Sequence, residues 1–390
     1  MTTRINLSQT TSFGLPDAVH VGVDALQKLG TECREIGATN ILVITDKGLV
    51  AAGIAEKVCD ELDKSKFRFA VFDEVEPSPH TTTIGRCDEL VRREKYDVLI
   101  GLGGGSSMDV AKAASILATN GGAISDYAGF NRVGKPGIPK ILIPTTAGSG
   151  SEASKGCLFT DDEDGLKKAV ISRHMLGDAA IIDPVLTLSL PRVVTVDTGI
   201  DALIHAIEGY VSPAACPVTD AMALEAIRLI SDNLRKVFAY GNNIKARYAM
   251  SVASFLAGTA IMAGLGCVHV LAYPLSTRHH MTHGRSNAVM LPHVMEFNRI
   301  ADLNKFKAIA KAMGENVAGL TISDASMKAI DAVKKLLSDL EVSYKIRDYC
   351  ITDDVAPMAI EAMESGARLL PTNPRTISND EAINIFKKAW

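Results

Sequence analysis

The chain has 390 residues, 47% of them hydrophobic and 22% charged, with a formal net charge of -4 and a pI of about 6.2. That length points to two domains with sizeable cores, and a mildly acidic balance without a basic stripe argues against a nucleic-acid binder. Seven scattered cysteines with no CxxC pair argue against a Cys-based zinc site and a disulfide framework. The N-terminus has no apolar h-region and no apolar run reaches membrane-spanning length, so a cytoplasmic protein is expected.

The first half alternates strand and helix signals. Residues 23–30 and 48–64 carry helical spacing of apolar side chains, with a β-branched strand at 40–46 between them. Further strands are expected at 67–72, 96–101 and 140–144, and a helix at 108–118 after a run of glycines. This alternation predicts βαβ units and a mostly parallel, Rossmann-like sheet. The character changes near Asp183-Pro184 to Pro191. Helical periodicity then dominates at 198–211, 218–238, 244–263, 288–298, 303–312, 323–340, 354–364 and 380–389. The most apolar stretch, 255–267, reads as a buried helix despite its three glycines. The expected organisation is an α/β domain over 1–187 and an all-helical domain over 188–390.

Gly103, Gly104 and Gly105, followed by Ser106, stand between a strand and a helix. Consecutive glycines let backbone approach a bound group, and free N–H groups at a helix start attract an anion. The segment reads as a pyrophosphate cradle, although it is not GxGxxG; the alternative is a tight turn with no ligand. After the 140–144 strand, Thr145, Thr146 and Ser149 supply hydroxyls for a ribose, phosphate or carboxamide. Asp46 ends an early strand. There it either accepts from ribose hydroxyls, favouring NAD over NADP, or caps a helix.

Asp201 and His205 are four residues apart, on one face of a helix. Five of the nine histidines fall within 269–293, among them His269 and His283. Three imidazoles and one carboxylate suit Fe²⁺ or Zn²⁺ better than Mg²⁺ or Ca²⁺. Spacing alone does not choose among His269, His279, His280, His283 and His293.

The segments GGGSSMDVAK (103–112), PTTAGSGSEAS (144–154), TGIDALIHAIEGYVS (198–212), GLGCVHVLAYPL (264–275), HGRSNAVMLPHVMEFN (283–298) and the tail from Asn373 resemble the iron-containing, group III alcohol dehydrogenases along essentially the whole chain. The resemblance implies a dehydroquinate-synthase-like fold with an NAD domain and a helical metal domain. It implies one divalent metal, Fe²⁺ first and Zn²⁺ as the alternative, on Asp201, His205, His269 and His283. It also implies Asp46, Gly103, Gly104, Gly105, Ser106, Asp109, Thr145, Thr146, Ser149 and, by a less secure alignment, Lys168 as cofactor residues. The implied activity is hydride transfer between NAD(H) and a metal-bound alcohol or aldehyde, with no nucleic-acid or membrane partner, in a homodimer or larger homo-oligomer.

One departure stands out. Many family members have a second histidine where this chain has Tyr273, which is therefore a candidate catalytic residue. Tyrosine there is similar to the hydroxyacid–oxoacid transhydrogenase branch. With Arg278 and Arg285 near the metal loop, it raises an anionic or polar substrate. The alternative functions are thus such a transhydrogenase or a hydroxyacid (semialdehyde) dehydrogenase. A lyase of the dehydroquinate synthase type shares the fold, but the DALIHAIE and HG motifs argue against it.

Overall fold

The structure is a computed structural model and describes residues 12–352 and 354–390. The chain divides into two compact units, one spanning Gly14–Ser189 and the other containing Leu190–Trp390.

The first unit is built on strands β1 (Ala18–Val21), β2 (Asn40–Ile44), β3 (Arg68–Phe72), β4 (Val98–Gly103), β5 (Gly129–Phe130), β6 (Lys140–Pro144), β7 (Gly156–Thr160), β8 (Lys167–Ile171) and β9 (Ala179–Ile182). Six form a sheet in the order β1-β9-β6-β4-β2-β3, with every pair parallel. Helices α1 (Leu29–Ile36), α2 (Lys47–Ala51), α3 (Ile54–Lys64), α4 (Thr81–Glu94) and α5 (Gly105–Asn120) make the crossovers. Alternate residues of the central strands enter separate cores, as a doubly covered sheet requires. Leu42, Ile44, Leu99 and Leu142 pack in the cluster that holds Ile84, Val91, Met108 and Ile116 of α4 and α5. Ile41, Val43, Val98, Ile100, Ile141 and Ile143 pack in the cluster that holds Leu29, Val58 and Leu62 of α1 and α3. The chain leaves β2 outward to β3, then returns to β4 on the opposite side of β2. This reversal opens a crevice at the carboxyl ends of β2 and β4, where doubly wound sheets take ligands.

The remaining strands form a small sheet, β5-β8-β7, with β7 and β8 antiparallel. The sequence reading missed it, because these strands are short and lack sustained alternation. The expected helix over 48–64 is two helices, since Gly53 takes a left-handed φ of 69° between α2 and α3. Helix α5 starts at Gly105 rather than at 108, so the last glycine of the turn already belongs to it.

The second unit contains α6 (Arg192–Val211), α7 (Pro217–Ala239), α8 (Ile244–Ala260), α9 (Cys267–Thr277), α10 (His283–Asn298), α11 (Leu303–Ala312), α12 (Ile322–Asp339), α13 (Val355–Ser365) and α14 (Asn379–Ala389), with no strand among the described residues. Helix α6 is the axis: nearly every residue from Thr195 to Val211 is buried, and α7, α8 and α10 pack on it. It begins at Arg192, because Pro191 is a suitable entry residue that the periodicity of 198–211 did not include. The apolar stretch 255–267 is not one helix. The chain turns at Gly264 (φ 109°) and resumes as α9, with 109° between Ile244–Ala263 and Cys267–Thr277. No single described helix is long and apolar enough to cross a membrane.

Candidate metal centre and dinucleotide turn

Asp201 and His205 lie mid-helix on α6, one turn apart and buried. His269 is the third residue of α9, just after the Gly264 corner. His283 is the first residue of α10, which starts five residues before the expected 288. Gly284 explains how α10 comes so close to α6: a Cβ there would collide with the Asp197 backbone carbonyl.

These elements bring the four side chains together. One ligand atom from each lies within 4.8 Å of all the others. Asp201 Oδ2 is 3.8 Å from His205 Nε2, and Asp201 Oδ1 is 4.0 Å from His269 Nε2 and 3.7 Å from His283 Nε2. The His205 and His269 rings stack at 5.2 Å, and the His283 ring is tilted 5.3 Å from His269. Such separations are close to the edge of about 3.4 Å expected for a tetrahedral N/O donor set around a zinc- or iron-sized cation. Three of the four donors are buried and His283 is exposed. Burial pushes the Asp201 carboxyl upward, but His205, His283, His269 and the Asn287 amide together outweigh it and hold it below its usual range.

Two supporting residues were missed from sequence. Glu208 Oε2 accepts from His269 Nδ1 at 2.6 Å, and its Oε1 accepts from the Val268 N–H at 2.7 Å. That fixes the ring so that Nε2 faces the cluster, buried and without a hydrogen-bond partner. A carboxylate behind a histidine whose other nitrogen is left open is the usual outer support of a metal ligand. The signal was present: Glu208 is three residues after His205, on the same helical face. Asn287, one turn after His283 on α10, donates from Nδ2 to Asp201 Oδ1 at 3.0 Å and lies 3.2 Å from His283 Nε2. The residues fit a nitrogen-rich cation site.

The other histidines of the 269–293 cluster stand outside the four-donor group; His293 Nε2, for instance, donates to the Tyr344 carbonyl. The two arginines raised for an anionic substrate are engaged elsewhere. Arg285 pairs with Asp197 at 2.7 Å, and Arg278 pairs with Glu361. Tyr273 is half-buried, one turn after His269 on α9.

In the first unit, the ends of β2, β4 and β6 place the expected cofactor residues. Gly103 has a φ of 147°, and a Cβ there would stand 2.7 Å from Ser107 Oγ. A Cβ on Gly105 would touch Ser149 at 3.1 Å, and one on Gly104 would meet Thr146 at 3.7 Å. The glycine turn and the hydroxyl loop therefore form one cradle, joined by the Thr145 N–H donating to the Gly103 carbonyl. Ser106 is half-exposed, and its Oγ accepts from the Ser78 N–H, a residue the sequence reading did not include. Asp46 caps α2, its Oδ1 accepting from the Leu49 N–H, so the helix-cap reading holds for that oxygen.

Two expected contacts are directed elsewhere. The Asp109 carboxylate is buried and accepts from Ser151 Oγ and the Leu158 N–H, which makes it a brace under the cradle. Lys168 lies on β8 with its ammonium 2.7 Å from Asp161 and 2.8 Å from Asp164, a pairing of the β7–β8 hairpin. Beside Asp109, the fully buried Lys112 donates to the carbonyls of Ser151, Ser154 and Gly156, tying the hydroxyl loop to α5.

The helical donor cluster and the switch-point cradle define a metal- and nucleotide-dependent oxidoreductase class. Residues 16–184 match the family "Iron-containing alcohol dehydrogenase" and residues 195–390 match "Fe-containing alcohol dehydrogenase family, C-terminal". The 1,3-propanediol dehydrogenase of Klebsiella pneumoniae is 40% identical, over 96% of this chain and 98% of that protein. The crystal structure of a 1,3-propanediol oxidoreductase superposes with a TM-score of 0.95 at 39% identity, covering 98% of this chain and 100% of that one. A sulfoacetaldehyde reductase from Bifidobacterium kashiwanohense, solved with NAD+, gives a TM-score of 0.87 at 28% identity, covering 98% of this chain and 99% of that one. The chain belongs to the iron-containing alcohol dehydrogenase family. It is an oxidoreductase of the kind that uses a metal ion and NAD on small alcohols and aldehydes.

Proposed function

We propose that Asp201, His205, His269 and His283 hold one divalent cation, Fe²⁺ in preference to Zn²⁺, in an NAD-linked alcohol dehydrogenase and aldehyde reductase. The observation that carries this reading is the convergence of the four donors, with the buried His269 Nε2 kept open by Glu208 on the far side of the ring. The thiolate-free donor set suits either ion, and the family favours iron. When bound, the ion supplies Lewis acidity, making an alcohol proton easier to remove and a carbonyl more electrophilic.

The chain's own residues orient and protonate. Glu208 holds the His269 tautomer and Asn287 holds the Asp201 carboxylate. Tyr273, on the same face of α9 as His269, offers a phenolic hydroxyl for proton relay at its Oη. In the first unit, the open N–H groups of Gly105 and Ser106, with Thr146 and Ser149, cradle the pyrophosphate. Asp46 keeps Oδ2 for a ribose hydroxyl and repels a 2′-phosphate, which selects NAD. Asp109 braces this cradle rather than touching the nucleotide. A homo-oligomer, dimer or larger, and a cytoplasmic setting in which all seven unpaired cysteines stay reduced go with the same reading; light scattering reads the oligomer.

The test is metal analysis and a nicotinamide-linked assay on anaerobically purified protein. His269→Ala is expected to lose metal and aldehyde reduction together, whereas His280→Ala, at an exposed loop position, keeps both. Full activity and metal in His269→Ala would refute the assignment.

A further inference from the structure

The four donors are not held alike. The side chains of Asp201, His205 and His269 are at most 9% exposed, whereas that of His283 is 48% exposed. Surrounding packing fixes the first three. His283 begins α10, and a helix end frays where its first groups have no intrahelical partner. Its seat has to come from whatever anchors that first turn.

Thr282, the N-cap of α10, does not cap. A threonine there ordinarily accepts an N–H of its own helix, but this one makes no such bond. Its Oγ1 instead donates across to Asp197 Oδ2 at 2.5 Å. On the other side of His283, Arg285 donates from Nε to Asp197 Oδ1 at 2.8 Å, and its Nη2 is 2.7 Å from the same oxygen. Between them, Gly284 lies so close to Asp197 that a Cβ would come within 2.1 Å of its backbone carbonyl oxygen. The Arg285 guanidinium is held in turn by Tyr349, whose phenol donates to the Ser343 carbonyl at 2.7 Å.

Asp197 is 5% exposed, and both of its carboxylate oxygens are spent on the first turn of α10 and its cap. It lies one turn before Asp201 on α6. The helix that supplies two donors therefore also grips the residues on both sides of a third. Glu208 supports an imidazole directly; Asp197 works through residues 282, 284 and 285. A neutral side chain in its place leaves the Arg285 guanidinium without its acid in a largely buried setting.

We propose that Asp197 is a positioning residue of the cation site, pinning Thr282 and Arg285 to α6 so that the exposed His283 stays in place as the fourth donor. The inference rests on the metal reading above and adds to it the contact that sets how firmly the ion is kept.

The test loads Co²⁺, a visible stand-in for iron or zinc, into the chelator-stripped full chain and compares wild type with Asp197→Asn and Thr282→Val. Asp197→Asn should weaken Co²⁺ affinity, read by competition with a chelator, by roughly 10- to 100-fold, and Thr282→Val should weaken it less. At saturating Co²⁺ the d–d absorption of Asp197→Asn should fall, because a loosened His283 yields its place to water and the tetrahedral set is lost. A role in stability alone would lower the melting temperature and leave affinity and spectrum unchanged below it; that outcome overturns the proposal. Should Asp197→Asn fail to fold, Thr282→Val decides, since it removes one hydroxyl and no charge: wild-type affinity and spectrum in that variant overturn the proposal. Wild type that takes up no Co²⁺ would strike the metal reading and the proposal together, whereas wild-type uptake with an undisturbed Asp197→Asn strikes the proposal alone.

Discussion

Glu152 sits at the foot of the hydroxyl loop, 1% exposed, with neither carboxylate oxygen hydrogen-bonded. Burial raises its pKa to about 7, offset only in part by its own backbone N–H and the charge of Lys112. The sign follows from linkage. A carboxyl raised in the fold favours the folded state while protonated; that advantage is full below the unfolded value and is lost as pH climbs to about 7. The loss amounts to about 3 kcal/mol across that window. Thermal unfolding at pH 5 and pH 8 checks it: Glu152→Gln should gain stability relative to wild type between the two, and parallel pH profiles would refute it. At this scale the sequence was legible where side chains recur at helical spacing, as with Asp201 and His205. His269 and His283 were named only through family resemblance, because Asp201 lies 68 and 82 positions before them and such contacts leave no local pattern. The partners of Lys168 and Asp109 were not legible for the converse reason: sequence gives a side chain's charge but not the groups it pairs with.

Elements were easiest to read where one periodicity ran uninterrupted. Strand β6 and helix α11 fall at their expected bounds. Errors gathered where a glycine changes chain direction, at Gly53 and Gly264, because an apolar run continues through the bend and hides it. The Gly103 turn was legible because three glycines in succession have few other uses between a strand and a helix. It also carries a prediction. With φ at 147° and Ser107 and Leu49 close by, Gly103→Ala must shift the β4–α5 turn. NADH affinity, read by fluorescence titration, should fall by about an order of magnitude or more, while metal content stays at the wild-type level, since all four donors belong to the helical unit. Undiminished NADH binding would show that the cradle tolerates a side chain.

For the whole molecule, strand–helix alternation followed by helices alone foretold one α/β unit and one helical unit. It could not foretell strand order, which depends on pairings between distant segments. With two units, unfolding need not be a single transition. Stripping the cation with a chelator should lower the helical unit's transition, by up to about 4 kcal/mol when the ion is present at a thousandfold its Kd; differential scanning calorimetry with and without chelator reads this, and superimposable traces would count against a bound ion. The Asn373 contact has a consequence for biosynthesis. Asn373 receives the N–H of Cys267 from 106 positions away and exchanges amide hydrogen bonds with Asn298. The corner that aims His269 is therefore locked by a residue that follows all four donors along the chain, so a growing nascent chain carries the donors before it has the latch that seats one of them.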